Sequence, residues 1–397
     1  MGWMEHAMKR NNSFRHSLDV LCAGWGSTRP GRRAGRVEIG HFWVTAKFEK
    51  SPTTMSVVPA VAYGASMTAD QFLELGLNID YKSNPIWKND STSRKLQKFR
   101  SSYRAHPKAI ERIWFYLNHN PCIEQRVKTN TKAADLLIVY RWWSLYETEL
   151  ELHKHFMVSE KHVRFVCKDF PPKIAALKTI FVSWCIDLYC LNGCSNTADF
   201  FVSLQIDPYW QDDDGLRLCA TVDCIHYPIT EPRPFSTSYK SPKLERAGLS
   251  YEFVILTHKD KLVSINGAFK GGTNDKEIFK NKMKKAVEQK QRDRNNDFRI
   301  IADAGYIENA LEATLTCRNE LDDRDVAYFK DRALSRHENF NRLTKHYRIM
   351  TSKFHHDRGD NPNCEHPCHQ ACLVGICVTF QCELDLKCTS LTDPYTE

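Results

Sequence analysis

The chain has 397 residues, 42% hydrophobic and 26% charged, an ordinary globular balance with room for two or three domains. Its formal net charge of +8 suits an anionic partner, and a basic solvated surface accounts for it equally well. The best apolar run, "TIFVSWCI", is closed off by Lys178 and Asp187, so no membrane span of about 18 residues is expected.

Residues 1–60 stand apart. "GWGSTRPGRRAGR" is rich in Gly and Arg and has no period, which reads as a disordered basic extension. Arg-rich and acid-poor, the segment also fits a transit peptide, and it lacks the succession of segments that marks a secretory signal. A regular chain starts near Met55, and "TADQFLELGL" predicts a short helix capped by Thr68. Residues 61–200 then read as a helical region. "KLQKFRSSYRAHPKAIERIWFYLN" places Ile110, Ile113, Trp114 and Leu117 at helical spacing, a stripe that faces a core. "ADLLIVYRWWSLYE" reads as a buried helix.

"ETELELHKHFMVSEKHVRFVCKDF" carries more information. Leu150, Phe156, Val158, Val163 and Val166 form an apolar set, and Ser159 stands where it can cap a second helix. Two short helices on a shared apolar seam, joined at "FMVS", make a helix-turn-helix at about 145–168. Its second helix offers Lys161, His162 and Arg164 to a DNA major groove. Glycine is usual in that turn, and here Met157 takes its place. Two packed helices with no DNA role fit the pattern as well.

From residue 216 the period changes. "LRLCATVDCIH" is a strand-like run with Asp223 near its end. "YEFVILTHKDKLVSINGAF" reads as a hairpin, "GGTNDKEIF" as a helix start at Asn274 or Asp275, and "KNKMKKAVEQKQRDRNN" as a basic helix. "FRIIAD" is a strand ending at Asp303, and "ALSRHENFNRLTKHYRIM" is a helix carrying Glu338. This order predicts an α/β domain over about 210–390, a mixed sheet flanked by helices as in the ribonuclease-H-like fold, preceded by the all-helical region. Strand ends can bring Asp223 and Asp303 together, with Glu338 on a later helix. Converging carboxylates repel unless a cation neutralises them, and the usual partners are hard divalent ions with oxygen ligands. Asp303 lies 80 residues after Asp223 and 35 before Glu338.

The segments "VDCIHYPI", "SYKSPKLERAGLSYEF", "INGAFKGGTND", "IADAGY" and "RHENFNRLTKHYRI" resemble, in that order, the DDE-superfamily endonucleases, the transposase-derived group related to PIF/Harbinger elements. "HQACLVGICVTFQCEL" is similar to the helix that closes those domains. "YRAHPKAIERIW" and the helix-turn-helix segment look like their helical parts, so the resemblance covers roughly 95–386. It implies Asp223, Asp303 and Glu338 as a catalytic, metal-binding triad, with Asp275 of "GTND" competing for the second place. Strand-end geometry favours Asp303, since Asp275 at a helix start has a ready capping role. It also implies Mg²⁺ or Mn²⁺, a pair of ions, acting on double-stranded DNA in the nucleus, with room for a separate DNA-binding partner protein and a homo-oligomer. The function implied is a divalent-metal-dependent DNA endonuclease or transposase. The alternative is a domesticated DNA-binding protein that keeps the fold without catalysis. Arg342, Lys345 and Lys353 follow the site and suit phosphate contacts.

Fifteen cysteines is an odd number, and a reduced compartment is expected. "CEHPCHQACLVGIC" holds Cys364, Cys368 and Cys372 with His366 and His369, ligand types that zinc accepts. The paired short knuckles of a zinc site are missing, and positions four apart share one helix face, so buried reduced thiols are expected.

Overall fold

The structure, a computed structural model, describes residues 67–82, 85–119, 132–182, 215–234, 236–257, 259–293, 298–306, 308, 311–356 and 366–391. The basic extension at 1–60 and Cys364 lie outside them. The described residues belong to one compact unit.

The helical part comprises α1 (Ala69–Asp80), α2 (Thr92–Tyr103), α3 (Pro107–His119), α4 (Ala133–Leu145), α5 (Glu149–Phe156), α6 (Glu160–Ala176) and the short α7 (Lys178–Phe181). Their starts follow from side-chain caps that satisfy the first backbone N–H groups. Thr68 and Gln71 form a capping box on α1, as do Thr148 and Glu151 on α5. Ser91 caps α2, and Ser159 caps α6 by accepting from the His162 N–H. The turn between α5 and α6 closes on Met157 at φ 56°, a left-handed conformation that glycine adopts more cheaply.

The second part carries β1 (Arg217–Pro228), β2 (Lys240–Ser241), β3 (Arg246–Leu256), β4 (Leu262–Lys270), α8 (Asp275–Asp293), β5 (Phe298–Ala302), β6 (Leu315–Thr316), α9 (Arg324–Lys345), α10 (Arg348–Thr351) and α11 (Pro367–Asp385). The sheet runs β2-β3-β1-β5-β6, with β4 also paired to β3. β1, β3 and β4 pair antiparallel, and β5 lies parallel to both β1 and β6. β1 is longer than the sequence suggests. Beyond "LRLCATVDCIH", Tyr227 and Pro228 also stay paired to β3, as far as Pro228↔Gly248, so Asp223 sits in mid-strand and not near the end.

Strand alternation sorts the sheet into two faces. Ala220, Val222 and Cys224 pack with Ile278, Phe279, Met283 and Val287 of α8. Ile225, Tyr227 and Ile229 point the other way, into a core shared with α9, α10, α11 and the helical part. α11 is buried from Ala371 to Leu384 and is apolar on most sides, as a helix enclosed by protein should be. It joins the two parts. Thr379 bonds Tyr140 of α4, Glu383 accepts from the His106 N–H, and the side-chain Oε1 of Gln381 accepts from the Leu262 N–H of β4. Gly375 lies so close to Trp143 that a Cβ there would stand 2.6 Å from the indole.

Candidate active site

The parallel ladder between β1 and β5 pairs Val222 with Ala302. The next residue on each strand path is an aspartate, Asp223 on one and Asp303 on the other. Ile301 packs against Val326 and Ala333 of α9, so Asp303, two residues on, continues the face that α9 covers. Asp223 faces the same way, since its Oδ2 accepts a 2.8 Å hydrogen bond from Nδ2 of Asn341 on α9. Its Oδ1 accepts from the Cys224 N–H at 2.7 Å. Asp303 is exposed, and its Oδ1 accepts from the Gly305 N–H at 2.8 Å, which holds the chain in a tight turn after the strand.

Burial pushes the Asp223 carboxyl up to about 6, with Lys243 and the Cys224 N–H pulling it down and the charges of Asp303 and Asp275 adding to the rise. A half-buried carboxylate with another beside it is short of positive charge, and the donors gathered here are oxygens. Asp223 and Asp303 therefore fit a hard divalent cation.

α9 is set on β1 by a row of polar pairs. His337 Nδ1 meets Thr221 at 2.8 Å, Asn341 meets Asp223, and Thr344 meets the Tyr227 hydroxyl at 2.7 Å. Residues 337, 341 and 344 follow helical spacing, and 221, 223 and 227 lie on one strand face, so the helix reads the strand residue by residue. Burial lowers His337 to about 3, which keeps it neutral and suited to a hydroxyl partner. Glu338 lies on the exposed flank of α9, one turn before Asn341. Among the described residues no group of three or more His, Cys, Asp or Glu is arranged to hold a metal ion.

Asp275 begins α8 and belongs to the other sheet face. Its Oδ2 pairs with Lys243 Nζ at 2.9 Å, and its Oδ1 stands 3.6 Å from Nε2 of His226. Burial raises its carboxyl, but His226 and Lys243 outweigh that and hold it below the ordinary value. Lys243 also donates to the Cys224 carbonyl at 3.1 Å, which ties this pair to the strand behind Asp223. Asp275 is thus already neutralised by a lysine, and its neighbour on β1 is His226 and not Asp223.

The groups expected to touch DNA fall into two places. Lys161 is exposed at the start of α6, whereas His162 Nε2 pairs with Asp135 at 2.7 Å and Arg164 forks onto Glu149 at 2.9 and 3.1 Å through Nε. Arg342 and Lys345 are exposed on α9, with Arg342 donating to Asn339. Lys353 lines a cavity of about 420 Å³ with Arg233, Arg246, Glu231 and Ile229 beyond the end of β1. At the start of α11, His369 serves packing. His369 bonds and stacks on Tyr251, and burial lowers it to about 3. Cys377 and Cys382 are buried thiols, and burial pushes Cys382 up to about 12.

Sequence reasoning did not single out Asn341 or Lys243. For Asn341 a signal existed, a polar residue on the stripe His337, Phe340, Thr344 that the helix buries. Residues 222–379 match the family model described as DDE superfamily endonuclease, the family that the ordered motifs resemble. That span contains both aspartates, Asp275 and Glu338, and leaves α1 to α7 outside. No curated protein and no solved structure matches the chain.

Proposed function

We propose, with residues 222–379 as a DDE superfamily endonuclease domain, that the protein is a divalent-metal-dependent DNA endonuclease or transposase whose first two acids are Asp223 and Asp303. The observation that supports this reading is the β1–β5 register, which pairs Val222 with Ala302, the residues just before the two aspartates. The strand order, antiparallel on one side of β1 and parallel on the other, supports a ribonuclease-H-like domain.

In this reading Asp223 and Asp303 hold Mg²⁺ or Mn²⁺, with Glu338 on α9 as the third acid. Bound there, such ions would supply the chemistry that activates water or a DNA 3′-hydroxyl and stabilises the leaving oxygen of a phosphodiester. The chain's own groups orient and bind. Asn341 and the Cys224 N–H fix both oxygens of Asp223. Lys243 keeps Asp275 occupied on the far face. Arg342, Lys345 and Lys353 meet the phosphates of double-stranded DNA, which gives affinity without reading sequence. α5 and α6 dock the duplex as a helix-turn-helix, with Lys161 foremost, because His162 and Arg164 are engaged within the protein. Such a nuclease works in the nucleus, with a partner protein or a second copy supplying further DNA contacts.

The exposed Glu338 favours a second reading, a DNA-binding protein without catalysis. Plasmid nicking by the purified full chain separates the two. Cleavage that needs Mg²⁺ or Mn²⁺ and vanishes in Asp223→Ala, Asp303→Ala and Glu338→Ala, with DNA binding retained, is expected. Binding without cleavage in either metal selects the second reading.

A further inference from the structure

α9 reaches Asp223 through Asn341 and not through Glu338. Asn341 is 9% exposed, and its amide is used on one side only. Nδ2 donates to Asp223, while Oδ1 is buried and has no hydrogen-bond partner. A buried carbonyl oxygen left without a donor is costly and calls for an account. Turning the amide over gives no relief, since Oδ1 would then face the Asp223 carboxylate, lone pair against lone pair. Nor can the side chain swing aside. His337–Thr221 and Thr344–Tyr227 pin the helix on either side of it, and Phe340 packs on Phe253 with ring centroids 5.2 Å apart. The oxygen is held beside Asp223 with its lone pairs unused.

A divalent cation between Asp223 and Asp303 would supply what that oxygen lacks. Amide carbonyls are ordinary ligands for such ions. A neutral amide also adds a donor without a further negative charge beside two aspartates. We propose that Oδ1 of Asn341 is a direct ligand of the divalent cation held by Asp223 and Asp303, so that α9 positions the ion as well as the carboxylate. This rests on the nuclease reading above.

The test is Mn²⁺ binding to the full chain without DNA, followed by titration calorimetry, for the wild type, Asn341→Ala and Asn341→Asp. Melting in EDTA verifies that each variant is folded. If Oδ1 is a ligand, Asn341→Ala weakens Mn²⁺ by about tenfold or more. Asn341→Asp, which keeps an oxygen there, binds Mn²⁺ at least as well as the wild type. If Asn341 only holds Asp223 through Nδ2, Asn341→Asp sets a carboxylate against Asp223 and weakens Mn²⁺ as much as Asn341→Ala does, which overturns the proposal. Should Asn341→Ala fail to fold, Asn341→Asp decides alone. Unchanged affinity in Asn341→Ala, with metal-dependent cleavage by the wild type, overturns this proposal and leaves the nuclease reading standing. A wild type that neither binds Mn²⁺ nor cleaves overturns both.

Discussion

Replacing Asp223 by Asn should stabilise the metal-free protein at neutral pH while abolishing cleavage. Asp223 ionises with difficulty because burial withholds water from its carboxylate, and its value rises from an ordinary 3.8 to about 6. A folded value above the unfolded one means stability that is fully present below 3.8 and is lost as pH climbs through about 6. At about 1.4 kcal/mol per pH unit the loss amounts to about 3 kcal/mol by pH 8. Less is expected in solution, since Asp223 is partly exposed and water screens it. At pH 4 the loss is a fraction of that figure. The asparagine never ionises, so it escapes the loss, and the Asn341 amide can turn over so that its free oxygen accepts from the new one. The assay is urea unfolding of wild type and Asp223→Asn in EDTA at pH 4 and pH 8, compared by midpoint with the slope unchanged. The variant should gain on the wild type between the two pH values by one to a few kcal/mol, on the order of the figure above. Mn²⁺ should then raise the midpoint of the wild type and leave the variant unmoved. A difference between the two proteins that stays flat with pH, or a variant that loses ground at pH 8, would refute the claim that this carboxylate is buried without enough positive charge.

Gly375→Ala should destabilise by about 1–3 kcal/mol, because its Cβ would stand 2.6 Å from Trp143 where α11 crosses the helical part, and thermal melting reports it. Glu252 is fully buried, and burial raises it to about 8, so its contribution is present at low pH and lost as pH rises through 8. Glu252→Gln should therefore gain stability over the wild type from pH 6 to pH 9, and equal midpoints across that range would show that the carboxyl is not held protonated. Lys161→Ala should weaken duplex binding and lower its salt slope by about one, whereas an unchanged slope would assign α6 to packing alone.

Much of the local structure was legible in the sequence. Thr68 and Ser159 announced helix starts that the caps then made. The stripe of Ile110, Ile113 and Leu117 announced a buried face, and the "YEFVIL" and "LVSIN" runs announced β3 and β4. The ordered motifs, read over roughly 95–386, announced the family model that matches residues 222–379. These signals are short-range, because propensity, capping and periodicity act within a few residues of their origin. The end of β1 was misread for a related reason. Whether Tyr227 and Pro228 continue the strand depends on their partners in β3, twenty or more residues away.

The arrangement of the site needed the tertiary structure. The Val222↔Ala302 register brings together the residues just before Asp223 and Asp303, while Asp275 starts α8 paired with Lys243. His162 and Arg164 looked available for DNA until Asp135 and Glu149 were found against them. "HENFN" names both Glu338 and Asn341, and nothing in those letters says which one the helix turns toward the strand. The rotation of α9 is decided by the joint packing of His337, Phe340 and Thr344 on β1 and β3, a balance struck among residues more than eighty positions apart in the chain. Sequence determines which side chains a helix can present, and only the packed core decides which of them meets the carboxylate.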